Sequence, residues 1–421
     1  MRKPTIIIIG GGASGMMAAI SAARQGAHVT ILERQNKLGR KLLSTGNGRC
    51  NFTNLTPGFE HYHSDDHHFF VPALTDFTAI DTIQFMNDIG VLSKNRSFFD
   101  EEGYMYPYSD QAKAVVENLS LELKRLNVLV VIEAFITKTP YYAQNIRQYC
   151  VETDQAVYHS DCLILANGSK ATEKLGSNDS GYMYAKAFGH KIRPIAPSLV
   201  GICCKESYLN TLSGIRIVSR VSLFINSESN VEIANAYGEL QMTKYGISGI
   251  PAFQISRYIA ECKPITNAYI IIDYMPDYKK PQLLDLLRKR LGNQQHKNIA
   301  HFLIGLFPEA LSQVLIQITY LRPNDLVSTI TEEQLYQLVH NIKHFRLTVS
   351  GTKGFDQAQV CRGGVDTREM NPYTLESKLS TGLYIVGELL DVDGDCGGYN
   401  LQWAWTSGAI AGKHAALAVI R

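Results

Sequence analysis

The chain has no unbroken apolar stretch of the 18 or more residues that a bilayer-spanning helix needs, so no membrane span is expected. Its N-terminus reaches an apolar run at Ile6 without the charged, apolar and small-residue regions of a secretory signal, which points to the cytoplasm. An excess of charge of either sign is also missing. With 41 basic and 39 acidic residues the formal net charge is only +2, which neither demands nor excludes nucleic acid, because a local basic patch can hide inside a balanced total. Paired cysteines are missing too. The eight cysteines, at 50, 150, 162, 203, 204, 262, 361 and 396, form no C-x-x-C and no regular spacing. They are expected to be reduced structural thiols, not a disulfide framework or a zinc site. The segment His61-Tyr-His63-Ser-Asp65-Asp66-His67-His68 is rich in ligand types, yet lacks the helical i, i+4 spacing that converges histidines on one ion. It reads as a polar loop, and no metal is expected.

What is present suits a globular protein. Hydrophobic residues make up 45% and charged ones 19%, and 421 residues exceed what one core usually serves, so two or three domains are expected. The most informative stretch is Ile6 to Glu33, IIIIGGGASGMMAAISAARQGAHVTILE: a strand, a glycine turn, a helix and a second strand ending in an acid. Gly10, Gly12 and Gly15 occupy the G-x-G-x-x-G positions of a dinucleotide-binding βαβ unit. Gly10 permits the tight turn, Gly12 lets a pyrophosphate approach the backbone, and Gly15 lets the helix pack on its strand. The phosphates then sit on N–H groups at the helix start, and Glu33 accepts ribose hydroxyls.

Residues Arg34 to Asn54, RQNKLGRKLLSTGNGRCNFTN, have the composition of an extended loop. Helical spacing is expected over Phe77 to Ile89 and Asp110 to Leu126, strands over Val128 to Phe135 and Leu163 to Leu165, and a helical stretch around Tyr182 to Phe188. From Pro194 the texture becomes β-rich, with runs at Leu199 to Cys204, Ile215 to Ile225 and Val231 to Thr243 that suggest a small sheet or barrel. After Pro251, PQLLDLLRKRL, IAHFLIGLF, ALSQVLIQI and TEEQLYQLVHNI show helical spacing, the last opened by a capping box from Thr331 to Gln334. Residues 193–345 therefore read as an insertion, β-rich over 193–250 with strands near 265–275 and 340–350, and helical over about 251–340. Residues 1–192 and 346–421 read as one α/β domain, because Gly382-Leu-Tyr-Ile-Val-Gly387-Glu388 repeats the strand-then-glycine pattern.

A βαβ unit does not by itself separate NAD from FAD; the C-terminal segment does. Gly387-Glu388-Leu-Leu-Asp391-Val-Asp-Gly-Asp-Cys396-Gly397-Gly398-Tyr399-Asn400-Leu401-Gln402 places a strand end, acids and paired glycines before a helix from Trp403 to Ala416. In two-part FAD sites an acid at such a strand end meets the ribityl chain. The following helix start aims N–H groups at the pyrimidine side of the isoalloxazine, where a helix N-terminus favours negative charge.

With these stretches in view, the chain resembles the BaiN/YhiN-type FAD-dependent oxidoreductases. The matching segments are GGGASG (Gly10 to Gly15), NKLGRKLLSTGNGRCNFTN (Asn36 to Asn54), GYMYPYS (Gly103 to Ser109), TKYGISG (Thr243 to Gly249), RGGV (Arg362 to Val365), LESK (Leu375 to Lys378) and VGELLDVDGDCGGYNLQWAWTSG (Val386 to Gly408). The resemblance implies an α/β fold: a Rossmann-like FAD-binding domain in two parts, N- and C-terminal, with an inserted β-barrel and helical subdomain. It implies that Gly10, Gly12, Ala13, Ser14 and Gly15 hold the pyrophosphate and Glu33, followed by Arg34, the adenosine ribose. Arg40 and Lys41 would lie along the phosphate or ribityl region, and Thr45, Gly46, Asn47 and Gly48 near the flavin. Gly387, Glu388, Asp391, Gly397, Gly398, Asn400 and Leu401 would complete the site. This chain departs from the family's usual pattern at Gly176-Ser-Asn-Asp-Ser-Gly181, where G-S-T-G-D-G is common, and at Cys396, where threonine is more usual.

No C-x4-C follows the first helix, which argues against a dithiol relay, and no second complete G-x-G-x-x-G provides a dedicated NAD(P) domain. A nicotinamide donor, NAD(P)H, would visit the open face of the flavin. Arg49 and Cys50 are the candidates for substrate contact, Arg49 for an anionic or carbonyl oxygen and Cys50 as a proton donor if its thiol faces the ring. Each has a plain structural alternative, loop carbonyls for Arg49 and packing for Cys50. The leading expectation is a reductase passing electrons from NAD(P)H to an unsaturated small molecule. The alternatives are reduction of uracil in ribosomal RNA to dihydrouridine, with Lys244, Arg257, Lys279, Lys280, Arg288, Lys289 and Arg290 supplying a basic surface, a dioxygen-using amine oxidase, and a non-enzymatic flavin-bound scaffold.

Overall fold

The computed structural model describes residues 2–56, 58–98, 101–225, 231–262 and 264–418. The chain divides into two compact units, Met1–Ala196 with Gln359–Arg421, and Pro197–Ala358.

The first unit is built on a five-stranded parallel sheet in the order Leu383–Ile385, Cys162–Leu165, Thr5–Ile9, His28–Leu32, Leu129–Val131. The central strands are continuous apolar runs, as strands covered on both faces must be, and Ile8, Leu163 and Ile164 are fully buried. The helix Ala13–Arg24 follows the first strand, and a 20-residue helix, Tyr399–Ala418, lies against it. Glycine permits that approach. A Cβ on Gly408 would stand 2.4 Å from the Ser14 carbonyl oxygen, and one on Gly412 would stand 2.2 Å from that of Ala18. The chain's two tryptophans both sit on this closing helix, buried, with Trp403 Nε1 donating to the Gly387 carbonyl at 3.1 Å and Trp405 Nε1 to that of Phe52 at 2.9 Å. The last element of the sequence thereby pins both the final strand end and the loop after the first βαβ.

That loop is more ordered than its composition suggests. Residues 34–54 include a helical turn at Arg40–Ser44, a tight turn at Thr45–Gly48 and a short strand at Thr53–Asn54, and Cys50 and Phe52 are wholly buried. The predicted helices near 77–89 and 110–126 are present as Ala79–Asp88 and Ala112–Arg125. The strand expected over 128–135 is shorter, Leu129–Val131, because the amides of Glu133 and Ala134 turn to the carbonyls of Gln35 and Glu33. Two antiparallel sheets were not anticipated. One runs through Tyr141–Ala143, Gln148–Glu152 and Val157–Ser160; the other joins Thr53–Asn54, Glu101–Pro107 and Ser93–Phe98.

The second unit is a closed six-stranded antiparallel barrel with helices. Its strand order is Ile202–Cys204, Gly246–Gly249, Val231–Thr243, Arg216–Ile225, Ala268–Asp273 and Phe345–Thr352, which returns to the first strand. Because Phe345–Thr352 closes the barrel on both sides, this unit runs to Ala358 and does not stop at 345. Helices Lys280–Asn293, Glu309–Ile318 and Glu332–Lys343 fall where the apolar spacing put them, the last with the capping box of Thr331 and Gln334. The stretch IAHFLIGLF is instead a short 3-10 turn at Ile299–His301 followed by turns. Gly305, at φ +86°, and Pro308 stop it from continuing as a helix.

Candidate functional site

The glycine loop is fixed by three backbone contacts and left open at one point. Gly10 donates to the Leu32 carbonyl at 2.9 Å, and a Cβ there would meet the Ala166 carbonyl oxygen at 2.4 Å. A Cβ on Gly15 would fall 2.0 Å from the Gly10 carbonyl oxygen. At Gly12 nothing lies within 4 Å, so this glycine is not required by packing; the space in front of it is available to a ligand. Helix geometry leaves the N–H groups of Ala13, Ser14 and Gly15 without intrahelical partners. Glu33 braces the loop, one carboxylate oxygen accepting from the Gly11 amide and the other from the Gln35 amide, each at 2.7 Å. Such a backbone cradle at a helix start, with an acid at the next strand end, has the donor set and the room for the pyrophosphate and ribose of a dinucleotide.

Beside Glu33, Arg34, Lys37, Arg40, Leu43, Glu133 and Phe135 line an open cavity of about 730 Å³. Arg40 is hydrogen-bonded to the Gln35 carboxamide and faces this cavity, whereas its neighbour Lys41 is directed to Glu388. The Lys41 ammonium and the Ser169 hydroxyl both stand 2.7 Å from the same Glu388 oxygen. Gly387, at φ +67°, is seated on Ser14: a Cβ there would be 2.7 Å from the Ser14 hydroxyl. At the carboxyl end of the adjacent strand, Asn167 Oδ1 is buried with no hydrogen-bond partner among the described residues.

The other end of the site is a pair of loops. Thr45 caps the preceding turn through its hydroxyl, 2.7 Å from the Leu42 carbonyl, and Gly46, Asn47, Gly48 and Cys50 all adopt positive φ. Gly46, Asn47, Gly48 and Arg49 are exposed, and the Arg49 guanidinium makes no hydrogen bond or ion pair among the described residues. Cys50 is the opposite case. Its side chain is fully buried, and that burial pushes the thiol up to about 12 against the hydrogen bond from Thr45, so it stays protonated. Facing this loop, the Gly397 carbonyl accepts from Asn54 Nδ2 at 3.0 Å, and a Cβ on Gly398 would meet the Thr53 carbonyl oxygen at 2.7 Å and Asn51 Oδ1 at 3.0 Å. That Asn51 oxygen is likewise a buried acceptor without a hydrogen-bond partner among the described residues. The N–H groups of Gly397 and Gly398 have no acceptor among the described residues and precede the 20-residue closing helix, a backbone arrangement that attracts negative charge.

Two residues assigned to the cofactor make contacts within the protein. Asn400 staples its own loop, accepting from the Gly394 amide at 2.9 Å and donating to the Gly394 and Asp395 carbonyls. Asp391 is buried and accepts from the Asp65 amide at 3.1 Å; burial raises its carboxyl to about 6. Leu401 is half-buried in the first turn of the closing helix. The structure adds residues the sequence did not single out. Besides Ser169, Asn51 and Asn167, Tyr106 lies under the Arg96 guanidinium at 5.2 Å and 3.5 Å from where a Gly46 Cβ would be, and burial holds its phenol above the ordinary value. His61 and His63 bind Asp395 at 3.0 and 2.9 Å. Only GYMYPYS hinted at Tyr106, and a histidine's tie to an acid more than 300 positions away leaves no sequence signal.

Among the described residues no helix is long and apolar enough to cross a membrane. The HI0933-like protein Rossmann domain matches residues 4–414. The chain is 40% identical over 412 residues, 97% of this chain and 98% of the relative, to a 3-dehydro-bile acid Δ4,6-reductase of Clostridium scindens. It is 30% identical over 407 residues, 95% of this chain and 96% of the relative, to a ribosomal RNA dihydrouridine synthase of Haemophilus influenzae. Among solved structures it shares its fold with a 3-ketosteroid-Δ4-(5α)-dehydrogenase of Rhodococcus jostii RHA1, with TM-score 0.50 and 14% identity over 98% of this chain and 96% of that one. A glycine cradle, a fold and a match along almost the whole length thus agree: the chain belongs to the HI0933-like Rossmann family of flavin-dependent oxidoreductases.

Proposed function

We propose that this protein binds FAD along the line from Glu33 through Gly12 to Gly397 and Gly398, and uses it to pass a hydride from NAD(P)H to an unsaturated small molecule. The observation that carries the reading is the contrast at Gly12: Gly10 and Gly15 on either side of it are demanded by packing, while this one fronts open space beside unengaged helix amides. Bound FAD supplies the two-electron chemistry. Ala13, Ser14 and Gly15 would hold its pyrophosphate through backbone N–H groups, and Glu33 the adenosine ribose. Arg34 and Arg40 flank the adenosine end, and Lys41, Glu388 and Ser169 the middle. Thr45, Gly46, Asn47 and Gly48, opposite Gly397 and Gly398, would border the ring, whose negative charge the two free amides favour. Arg49, exposed and with a guanidinium that makes no hydrogen bond among the described residues, would anchor an anionic or carbonyl oxygen of the substrate. Cys50, sealed and firmly protonated, is better suited to packing than to proton delivery.

A small-molecule acceptor draws support from the 40% identity to a reductase named for a bile-acid substrate. Reduction of uracil in ribosomal RNA remains the second reading because the 30% relatives are named for it. Part of the basic surface it needs is already occupied: Arg288 is held by Glu332 and Tyr336, and Arg290 donates to the carbonyls of Phe302 and Ile304. The test is anaerobic addition of NADPH or NADH to the yellow protein, followed by an unsaturated steroid acid or by ribosomal RNA. Bleaching by the nicotinamide and recolouring by the steroid acid is the expected result. Dihydrouridine in the RNA with no response to small acceptors would favour the second reading, and peroxide release on adding amines would overturn both.

A further inference from the structure

The loop that carries Gly397 and Gly398 is tied by side chains as well as by backbone. Gly397 and Gly398 adopt φ of +132° and +100°, so the chain there follows a path that side-chain-bearing residues rarely take. One side of the loop is tied by Asn400 and by Asn54. The other is tied by a three-residue clasp. His61 Nδ1 stands 3.0 Å from Asp395 Oδ2 and His63 Nε2 stands 2.9 Å from Asp395 Oδ1, so each carboxylate oxygen has its own imidazole. The Asp395 amide donates back to the His61 carbonyl at 2.9 Å, and His63 pairs with Asp393 in a two-residue antiparallel ladder. The His61 ring also stacks on Tyr399, the first residue of the closing helix, with centroids 4.4 Å apart. All of these contacts fall within four residues of Gly397.

We infer that His61, Asp395 and His63 are positioning residues that fix the direction of the Gly397 and Gly398 N–H groups and thereby set how strongly the protein favours the reduced over the oxidised flavin. The inference rests on the flavin reading above. A carboxylate with one hydrogen-bonded imidazole on each oxygen has little freedom to rotate, so the backbone carrying it is held in register with the strand Tyr62–His63. Without the clasp, the asparagine ties remain and the loop stays attached while its amides lose alignment. Misaligned donors weaken the reduced form selectively, because only that form carries the added negative charge.

The test compares wild type with Asp395→Ala and His63→Gln; glutamine retains an N–H donor for the aspartate. Three quantities are measured: the melting temperature of the FAD-free protein, the dissociation constant of added FAD, and the flavin midpoint potential. Asp395→Ala is expected to cut the preference for the reduced flavin at least tenfold, which is about 30 mV for a two-electron couple, while His63→Gln recovers most of it. Hydrogen exchange over 393–398 in the FAD-free protein should rise in the alanine variant and not in the glutamine one. An unchanged potential in Asp395→Ala overturns the inference, whether or not the melting temperature falls. Equal shifts in both variants overturn it as well. A wild-type protein that takes up no FAD refutes the flavin reading itself, and so is distinguishable from a clasp that fails on yellow protein.

Discussion

The ammonium of Lys41 stands 2.7 Å from the carboxylate of Glu388, joining residues 347 positions apart in the chain. Both side chains are mostly shielded, and Ser169 shares the same carboxylate oxygen. Lys41→Met would leave Glu388 with a single donor. FAD fluorescence titration should then show an affinity about tenfold weaker, or about 1.4 kcal/mol, with little change in the melting temperature of the FAD-free protein.

Gly12, which caps the first helix, and Gly15, in its first turn, should respond oppositely to alanine. Gly15→Ala places a methyl 2.0 Å from a backbone oxygen, so the FAD-free fold itself should lose roughly 2–4 kcal/mol in denaturant titration. Gly12→Ala meets nothing in the protein, so its denaturation curve should overlay that of wild type. FAD affinity, however, should fall about a hundredfold, or about 2.8 kcal/mol. A Gly12→Ala protein that binds FAD normally would remove the main support for the phosphate assignment.

How much of this was legible depends on whether the signal is local. The strand, glycine and helix sequence of residues 6–33 could be read directly because each step has its own periodicity, and the paired glycines at 397 and 398 stood out for the same reason. The hairpin of Ser93–Phe98 and Glu101–Pro107 was not legible, since its first strand, SKNRSF, is largely polar and short. IAHFLIGLF imitated a helix because its apolar spacing is helical, and only the turn at Gly305 before Pro308 shows otherwise. His61 and His63 could not be paired with Asp395 at separations of 334 and 332 residues. Tertiary contacts of that kind leave no periodic trace.

Asp391 gives a prediction in pH. Its carboxyl is raised from 3.8 to about 6 chiefly by burial, so the folded state holds a proton that the unfolded chain releases between those values. Stability from this group is therefore greatest below pH 4 and is lost as pH rises through 6, on the order of 2–3 kcal/mol. Asp391→Asn should abolish that loss. The difference between variant and wild-type urea midpoints should grow from near zero at pH 4 to its full value at pH 7. The depressed carboxyls, Glu122 among them, are common to both proteins and cancel in the difference.

Cys50 should resist alkylation. A thiol pushed up to about 12 is almost wholly protonated at pH 8, so iodoacetamide should modify it roughly a thousandfold more slowly than an exposed cysteine of ordinary acidity. Peptide mapping after timed labelling of the native protein gives the rate. Rapid labelling would return the thiol to the list of proton donors.

Both indole side chains belong to the closing helix, at 403 and 405, and are buried at 1% and 0% exposure. Tryptophan emission from this protein therefore originates in the unit Met1–Ala196 with Gln359–Arg421, and the barrel unit contributes tyrosine emission but no tryptophan emission. A denaturation experiment excited at 295 nm follows one unit and is blind to the other. Any second transition seen only by circular dichroism is then the signature of the barrel unfolding on its own.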